Sequence, residues 1–195
     1  AEEHAKFFGD VWKSFQAVMF FAGAFVIAFA KPAMMLLTSK AYYSAWQYVP
    51  LLAVSMVYTA FVSFLGTAYI VKKKSNISFL TSIPGPVINI ILNLLLIPSF
   101  LGVQGAAIAT VISYFAVFVI RMFNVKKYVP FKLYSGHIII NTCIIFIQAA
   151  IMILEIKGWI ILQGLCIIAL AIVNFKFLLS FLNQIFSPIL RRIKK

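Results

Sequence analysis

Charged residues are scarce in this sequence, and acidic ones are the scarcest. They make up 11% of the 195 residues, with four Asp or Glu against 17 Lys or Arg. None of the acids, Glu2, Glu3, Asp10 and Glu155, falls in the middle of an apolar run. Ion-coupled transporters tend to carry carboxylates within the membrane, and acid–base enzymes need a positioned carboxylate or histidine. We therefore expect no enzyme, and any coupling carboxylate has to lie outside this chain.

Histidine and cysteine are equally rare. His4 and His137 lie far apart in the chain, without a nucleophile partner. Cys143 and Cys166 fall inside apolar runs, with no His or second Cys at the spacing of a metal site. We expect both cysteines to be small buried residues, and we expect no catalytic residue, metal or cofactor. Nucleic acid is excluded as a partner because no soluble basic domain is present to bind it.

Apolar residues dominate instead. They make up 64% of the chain, with a mean hydropathy of +1.04, against roughly 45–50% apolar residues in soluble domains. Residues 75–120 carry no charge, and as one helix they would be about 69 Å long, over twice the thickness of a hydrocarbon core. This stretch must therefore turn, and the turn is predicted at residues 98–102, which contain both Pro and Gly.

The fold class predicted is an all-α integral membrane bundle of six transmembrane helices. The spans are expected near residues 14–30, 46–71, 75–97, 105–123, 134–154 and 159–174. We divide the chain into an interfacial lead-in at 1–13, a four-helix part at 14–132, and two appended helices with a basic tail at 133–195. The chain begins with Ala on a charged segment and shows no signal peptide, so we expect a fragment or processed chain that lacks an N-terminal membrane half.

Basic residues alternate with the spans. One side of the membrane receives thirteen of them: Lys6, Lys13, Lys72, Lys73, Lys74, Arg121, Lys126, Lys127, Lys132, Arg191, Arg192, Lys194 and Lys195. The other side receives three, Lys31, Lys40 and Lys157, and Lys176 is unassigned. The positive-inside rule places the first side, with both termini, in the cytoplasm.

Polar residues in the spans fall on two helix faces. Ser75, Ser78, Ser82, Asn89 and Asn93 follow one another at helical spacing, a set that we call the polar lane. The second face carries Ser55, Thr59, Ser63 and Gly66. Two interpretations are open: a cavity wall that binds substrate hydroxyls, or hydrogen bonds between neighbouring helices. Asn89 and Asn93 are the first residues to mutate, since each has a side-chain amide whose donor and acceptor both need hydrogen-bond partners.

Two other segments can each be interpreted as functional or as structural. Pro84, Gly85 and Pro86 interrupt the third span, either as a hinge or as a static kink; two re-entrant half-helices are a third possibility. The basic segments at Lys72, Lys73 and Lys74 and at Arg121 either capture a diphosphate or set topology and bind anionic lipid.

Polar residues also mark one face of the fifth span: His137, Asn141, Gln148 and Glu155. We expect a polar contact with the sixth span through Gln163 rather than a substrate site. On the fourth span, Gly105, Ala109 and Ser113 form a stripe of small residues, as do Gly102, Ala106 and Thr110. Such stripes let helix backbones approach closely in lipid.

The segment VINIILNLLLIPSFLGVQGAAIAT, residues 87–110, resembles a hallmark of polysaccharide flippases. These form the Wzx-like branch of the multidrug/oligosaccharidyl-lipid/polysaccharide exporter superfamily. The matching features are the two asparagines, the Leu-Ile-Pro at 96–98 and the Gly-Ala-Ala at 105–107. A second similar segment is KPAMMLLTSKAYYSAWQYVPLLA, residues 31–53. The pattern is shared with lipid II flippases and drug exporters, so it marks the superfamily better than the substrate.

The resemblance implies a two-lobed transporter of twelve or fourteen helices, of which these six are the last. It implies translocation of undecaprenyl-diphosphate-linked oligosaccharide, an O-antigen or capsule repeat unit, across the bacterial inner membrane by alternating access. The partners it implies are that lipid-linked oligosaccharide, membrane lipids, a polysaccharide polymerase and a chain-length regulator. The rival functions are export of another lipid-linked or drug substrate within the superfamily, and a membrane scaffold of polysaccharide assembly that transports nothing.

Overall fold

A computed structural model of the chain describes residues 2–193, and the side chains of residues 6–179. Over this range the chain is helical and contains no strand. The elements in order are α1 (Glu2–Ala28), α2 (Ala30–Leu37), a 3-10 helix (Lys40–Gln47), α3 (Val49–Val71), α4 (Ser75–Ser82), α5 (Pro84–Leu96), α6 (Gly102–Val125), α7 (Ser135–Ile153) and α8 (Trp159–Ile193).

The predicted fold class is confirmed. Within the described residues, six helical segments are long and apolar enough to cross a membrane, with α4 and α5 together forming the third. The turn predicted at residues 98–102 lies between α5 and α6. The fourth, fifth and sixth spans begin within three residues of the predicted positions. The basic tail falls largely outside the residues whose side chains are described.

The predicted lead-in and the first span form one helix, α1. Trp12, which we expected at the membrane interface, is instead fully buried, and its indole Nε1 donates a 3.0 Å hydrogen bond to the Leu133 carbonyl. Its ring packs edge-to-face on Phe61 and lies beside Phe118. The polar end of the indole finds a backbone acceptor inside the bundle, so Trp12 gains both burial and a hydrogen bond there.

An aromatic segment follows α2. Tyr42 in this segment is exposed, whereas Trp46 is only 5% exposed. The ammonium of Lys31 lies 4.1 Å from the centre of the Trp46 ring and pairs with Glu155, which precedes α8. This cluster joins α2 and the 3-10 helix to the turn between α7 and α8.

Two groups of helices share the core. Helices α3 and α6 pack along each other, and α5 packs on α6, while α1 contacts α3, α7 and α8. The small-residue stripe at Gly105, Ala109 and Ser113 is buried as predicted. A Cβ atom on Gly105 would lie 2.7 Å from the Leu96 carbonyl oxygen, so only glycine permits this approach of α5 to α6.

Candidate functional site

Among the described side chains, Arg121 is the charged residue that is most deeply buried in the bundle. We expected it among the basic residues at the cytoplasmic end of the fourth span, free to bind a diphosphate or lipid, but it lies within α6, one turn before that helix ends at Val125, and it is 5% exposed. The expectation of a surface position was wrong because a long side chain near a helix end can point into the bundle as well as snorkel outward. Here neighbouring helices supply oxygen acceptors that hold it inside.

The guanidinium of Arg121 joins α6 to two other helices. Its Nη2 donates to the carbonyl of Ser78 at 2.9 Å and to the hydroxyl of Ser82 at 2.6 Å, and its Nε donates to the hydroxyl of Thr81 at 3.3 Å. All three acceptors belong to α4. On the opposite side, Nη1 donates to the Val62 carbonyl of α3 at 2.6 Å.

The positive charge of Arg121 is balanced by neutral oxygens alone within the part of the chain that the structure describes. The ion pairs found there are Lys13 with Asp10 and Lys31 with Glu155, both elsewhere. The guanidinium carbon lies 5.8 Å from the centre of the Tyr69 ring, which adds a weak cation–π attraction. A buried charge without a charged partner is costly to remove from water, so this placement is a candidate functional feature.

Part of the polar lane is therefore engaged by Arg121. Ser78 and Ser82 are half-buried and turn toward α6, whereas Ser75 at the start of α4 is exposed. The Ser82 hydroxyl also donates to the Ser78 carbonyl at 2.8 Å, so it bonds its own helix as well as Arg121. Ser78 and Ser82 thus contact a neighbouring helix.

The two asparagines of the lane also face α6. The Asn89 amide nitrogen donates to the hydroxyl of Ser113 at 3.3 Å, and the Asn93 amide nitrogen donates to the Asn89 oxygen at 2.9 Å. Among the described side chains, the Asn93 oxygen is buried without a hydrogen-bond partner. One acceptor thus stays free for a group that approaches between α5 and α6.

The Pro-Gly-Pro segment separates α4 from α5. Ile83 between them keeps helical backbone angles, so the two helices run on in one direction, as a single span does and re-entrant half-helices do not. Pro84 and Pro86 carry no N–H, which removes two backbone hydrogen bonds at this point. Gly85 is buried, and a Cβ atom there would lie 2.9 Å from a methyl group of Val117 on α6.

The second polar face, on α3, is divided. Ser55 is buried and its hydroxyl donates to the Leu52 carbonyl, while the Thr59 hydroxyl donates to the Ser55 carbonyl. Ser63 is exposed. Gly66 contacts the candidate site, since a Cβ atom on it would lie 2.7 Å from Nη1 of Arg121.

Lys72, Lys73 and Lys74 are exposed at the turn that joins α3 to α4. Lys73 adopts a left-handed backbone conformation, with φ of 53°. Ser78 lies one helical turn beyond the start of α4, so the three lysines stand at the same end of the bundle as Arg121. A path from these lysines to the guanidinium follows the first turn of α4.

A second polar cluster lies between α1, α7 and α8. The side-chain amides of Asn141 and Asn174 exchange two hydrogen bonds of 2.9 Å, and Gln163 donates to the Gln148 carbonyl at 3.0 Å. Gln163 thus contacts the fifth span as predicted, but through the Gln148 backbone, since the Gln148 side chain donates to the Ala24 carbonyl of α1. Gln16 was not predicted; it is fully buried, and within the described side chains neither of its amide atoms has a partner. Its position among apolar residues of α1 was the signal that could have found it.

No protein-family model matches the chain, and comparisons with curated proteins and with solved structures found no match either.

Proposed function

We propose that the chain is the C-terminal portion of a bacterial inner-membrane flippase that moves undecaprenyl-diphosphate-linked oligosaccharide by alternating access. The observation that carries this proposal is the buried cation Arg121 on α6. Its charge is held by neutral oxygens, of which those of Ser78 and Ser82 belong to the interrupted third span. Ionisable groups at such positions in membrane proteins mark substrate pathways. A diphosphate is the kind of group that an uncompensated guanidinium binds.

The oligosaccharide supplies the second physical argument. Its hydroxyls cannot cross a hydrocarbon core with their hydrogen bonds unmade, so a carrier must offer polar groups along the way. Asn93 has a buried free oxygen among the described residues and lies on the same span as the acceptors of Arg121. The lipid tail stays in the bilayer beside the exposed apolar face of α5 during the movement.

The orientation follows from charge and belongs to the same proposal. The turn with Lys72, Lys73 and Lys74 faces the cytoplasm, where the lipid-linked substrate is made and its diphosphate is captured. The chain acts without catalysis, alongside a polysaccharide polymerase and a chain-length regulator. Replacement of the three lysines by Gln is expected to weaken transport at unchanged expression.

The experiment is a deletion of the encoding gene in its host. We expect loss of surface polysaccharide, with lipid-linked units accumulating on the cytoplasmic side of the membrane. Normal polysaccharide in the deletion strain would contradict the proposal. Genes for glycosyltransferases and a polymerase in the neighbourhood would support it over drug export, while a scaffold would leave the lipid-linked units distributed over both leaflets.

A further inference from the structure

Helices α4 and α5 form one span, but different interactions attach them to the bundle. Helix α5 is fixed to α6 by close backbone approaches at two glycines. Gly105 of α6 meets the Leu96 carbonyl at the end of α5, and Gly85 at the start of α5 meets Val117. The attachment of α5 to α6 therefore rests on close packing, together with the hydrogen bond from Asn89 to Ser113.

The polar attachment of helix α4 to the bundle comes from one side chain, that of Arg121. The helix makes few contacts with α3 and α6, and its one buried residue is Thr81. Its exposed residues include the large apolar Phe79 and Leu80. The apolar Ile77 is half-buried against the core. The bonds from Arg121 to Ser78, Thr81 and Ser82 add a polar attachment that depends on one guanidinium.

The connection between the two helices is weak. Pro84 and Pro86 leave the carbonyls of Leu80 and Ser82 without their helical donors, and the next backbone bond, from Val87 to Ile83, is long at 3.4 Å. A rotation of α4 at this point breaks fewer hydrogen bonds than one within a regular helix. The close packing of α5 on α6, the weak connection and the few contacts of α4 set α4 apart from the rest of the third span.

We propose that Arg121 is a latch that holds α4 against the bundle, and that a phosphate or diphosphate anion releases it by taking over the guanidinium. The bonds of Arg121 to serine, threonine and carbonyl oxygens are hydrogen bonds to neutral groups. A phosphate group offers a paired charge and two parallel hydrogen bonds in their place, which is the stronger arrangement. The anion enters past Lys72, Lys73 and Lys74, at the first turn of α4.

Gly66 contributes to the same latch. The absence of a Cβ atom at this position leaves room for Nη1 of Arg121 against α3, where it donates to Val62. When an anion draws Nη2 away from α4, this bond to α3 can persist. Arg121 then stays in place while α4 leaves, so the guanidinium opens toward the lysine turn. This inference rests on the proposed function for the identity of the anion as the substrate diphosphate.

The test measures two distances by spin labelling in the full protein, in phosphatidylcholine bilayers. Cys143 is exposed and Cys166 half-buried, so the expectation that both are buried was wrong. Both are therefore first replaced by Ala, and labels are placed on exposed residues. The latch pair is Leu80 on α4 with Phe123 on α6, and the matched control pair is Ile91 on α5 with Ile112 on α6.

The latch predicts that inorganic pyrophosphate lengthens the Leu80–Phe123 distance by more than about 2 Å, the size of a segment rearrangement, and leaves the Ile91–Ile112 distance unchanged. Arg121→Ala is expected to give the long distance without pyrophosphate and no further response. Lys126→Ala, which removes an exposed cation just beyond α6, is expected to respond as the unmodified protein does. Ser82→Ala removes one acceptor and is expected to lower the pyrophosphate concentration at half-response.

Two results would overturn the latch. The first is a Leu80–Phe123 distance that pyrophosphate does not change, which holds even if Arg121→Ala fails to fold. The second is a change in both pairs. The same lengthening in bilayers that contain phosphatidic acid without pyrophosphate would support the latch but contradict the substrate diphosphate as its anion, since a lipid headgroup would then release it. None of these results depends on transport, so the latch can fail while loss of polysaccharide in the deletion strain still supports the proposed function.

Discussion

The hydroxyl of Ser82 accepts a 2.6 Å hydrogen bond from Nη2 of Arg121, two residues before Pro84. This bond joins α4 to α6 just before the third span is interrupted. It places the polar lane and the basic residue, which the sequence analysis treated as separate features, in one site. The predictions below test the packing around this site and the role of its polar residues.

Gly66→Ala is expected to destabilise the protein by about 1 kcal/mol, since the new methyl group displaces the Nη1 bond to Val62. In an Arg121→Gln background the same change should cost almost nothing. Thermal unfolding in detergent, read for both single variants and the double variant, measures this coupling. Gly164→Ala in α8 is the control, because the described residues leave open space at that position. An equal cost of Gly66→Ala in both backgrounds would contradict the contact.

Gly105→Ala is expected to cost about 1–3 kcal/mol, since a Cβ atom there meets the backbone of Leu96, which cannot move aside as a side chain can. Gly136→Ala, in the first turn of α7, meets nothing within 4 Å among the described residues and should be tolerated. The fraction of folded protein after heating distinguishes the two variants. Similar stabilities would argue against the close approach of α5 to α6.

These glycines show what the sequence can and cannot predict. The stripe at Gly105, Ala109 and Ser113 has the spacing of a packed helix face, and the structure buries it. The partner of each small residue depends on how two helices meet, which the sequence of one helix does not contain. Gly66 was grouped with a polar face for that reason, although it makes room for Arg121.

Asn141 and Asn174 provide a test of the second polar cluster. Asn174→Leu alone leaves the buried amide of Asn141 without its hydrogen-bond partner. This change is expected to lower the free energy of unfolding by about 1–3 kcal/mol. Changing both residues to Leu should recover much of that loss, because no buried amide is then left without a partner. A double-mutant cycle on the free energy of unfolding gives the coupling. Strictly additive losses would show that the two amides do not depend on each other.

The fifth and sixth spans were easier to pair from sequence than the third and fourth. Four polar residues on one face of the fifth span required a polar partner, and Gln163 was the available one on the sixth; the structure joins it to Gln148. Arg121 was misplaced because basic residues near helix ends usually mark the membrane surface. Its acceptors, which include the backbone carbonyls of Ser78 and Val62, leave no trace in composition or spacing.

Asn89→Ala and Ser113→Ala test whether the polar lane acts through α6. If the Asn89–Ser113 bond is the main role of Asn89, the two changes should be coupled by about 0.6 kcal/mol in stability. Transport per folded molecule should then be unaffected by Asn89→Ala. Loss of transport at unchanged stability would instead assign Asn89 to the substrate.

Pro84→Ala combined with Pro86→Ala restores the missing backbone donors and stiffens the third span. We expect this variant to slow transport more than it lowers the amount of folded protein. Polysaccharide export in the complemented deletion strain, divided by the amount of protein in the membrane, measures the effect. Equal reductions in both quantities would indicate a static kink.

The most direct test of the proposed transport is the leaflet position of the lipid-linked oligosaccharide. Right-side-out membrane vesicles from the deletion strain, with or without the restored gene, are exposed to a lectin too large to cross the membrane. We predict that the lectin labels the lipid-linked oligosaccharide only when the gene is restored. Equal labelling in vesicles that lack the protein would contradict the account.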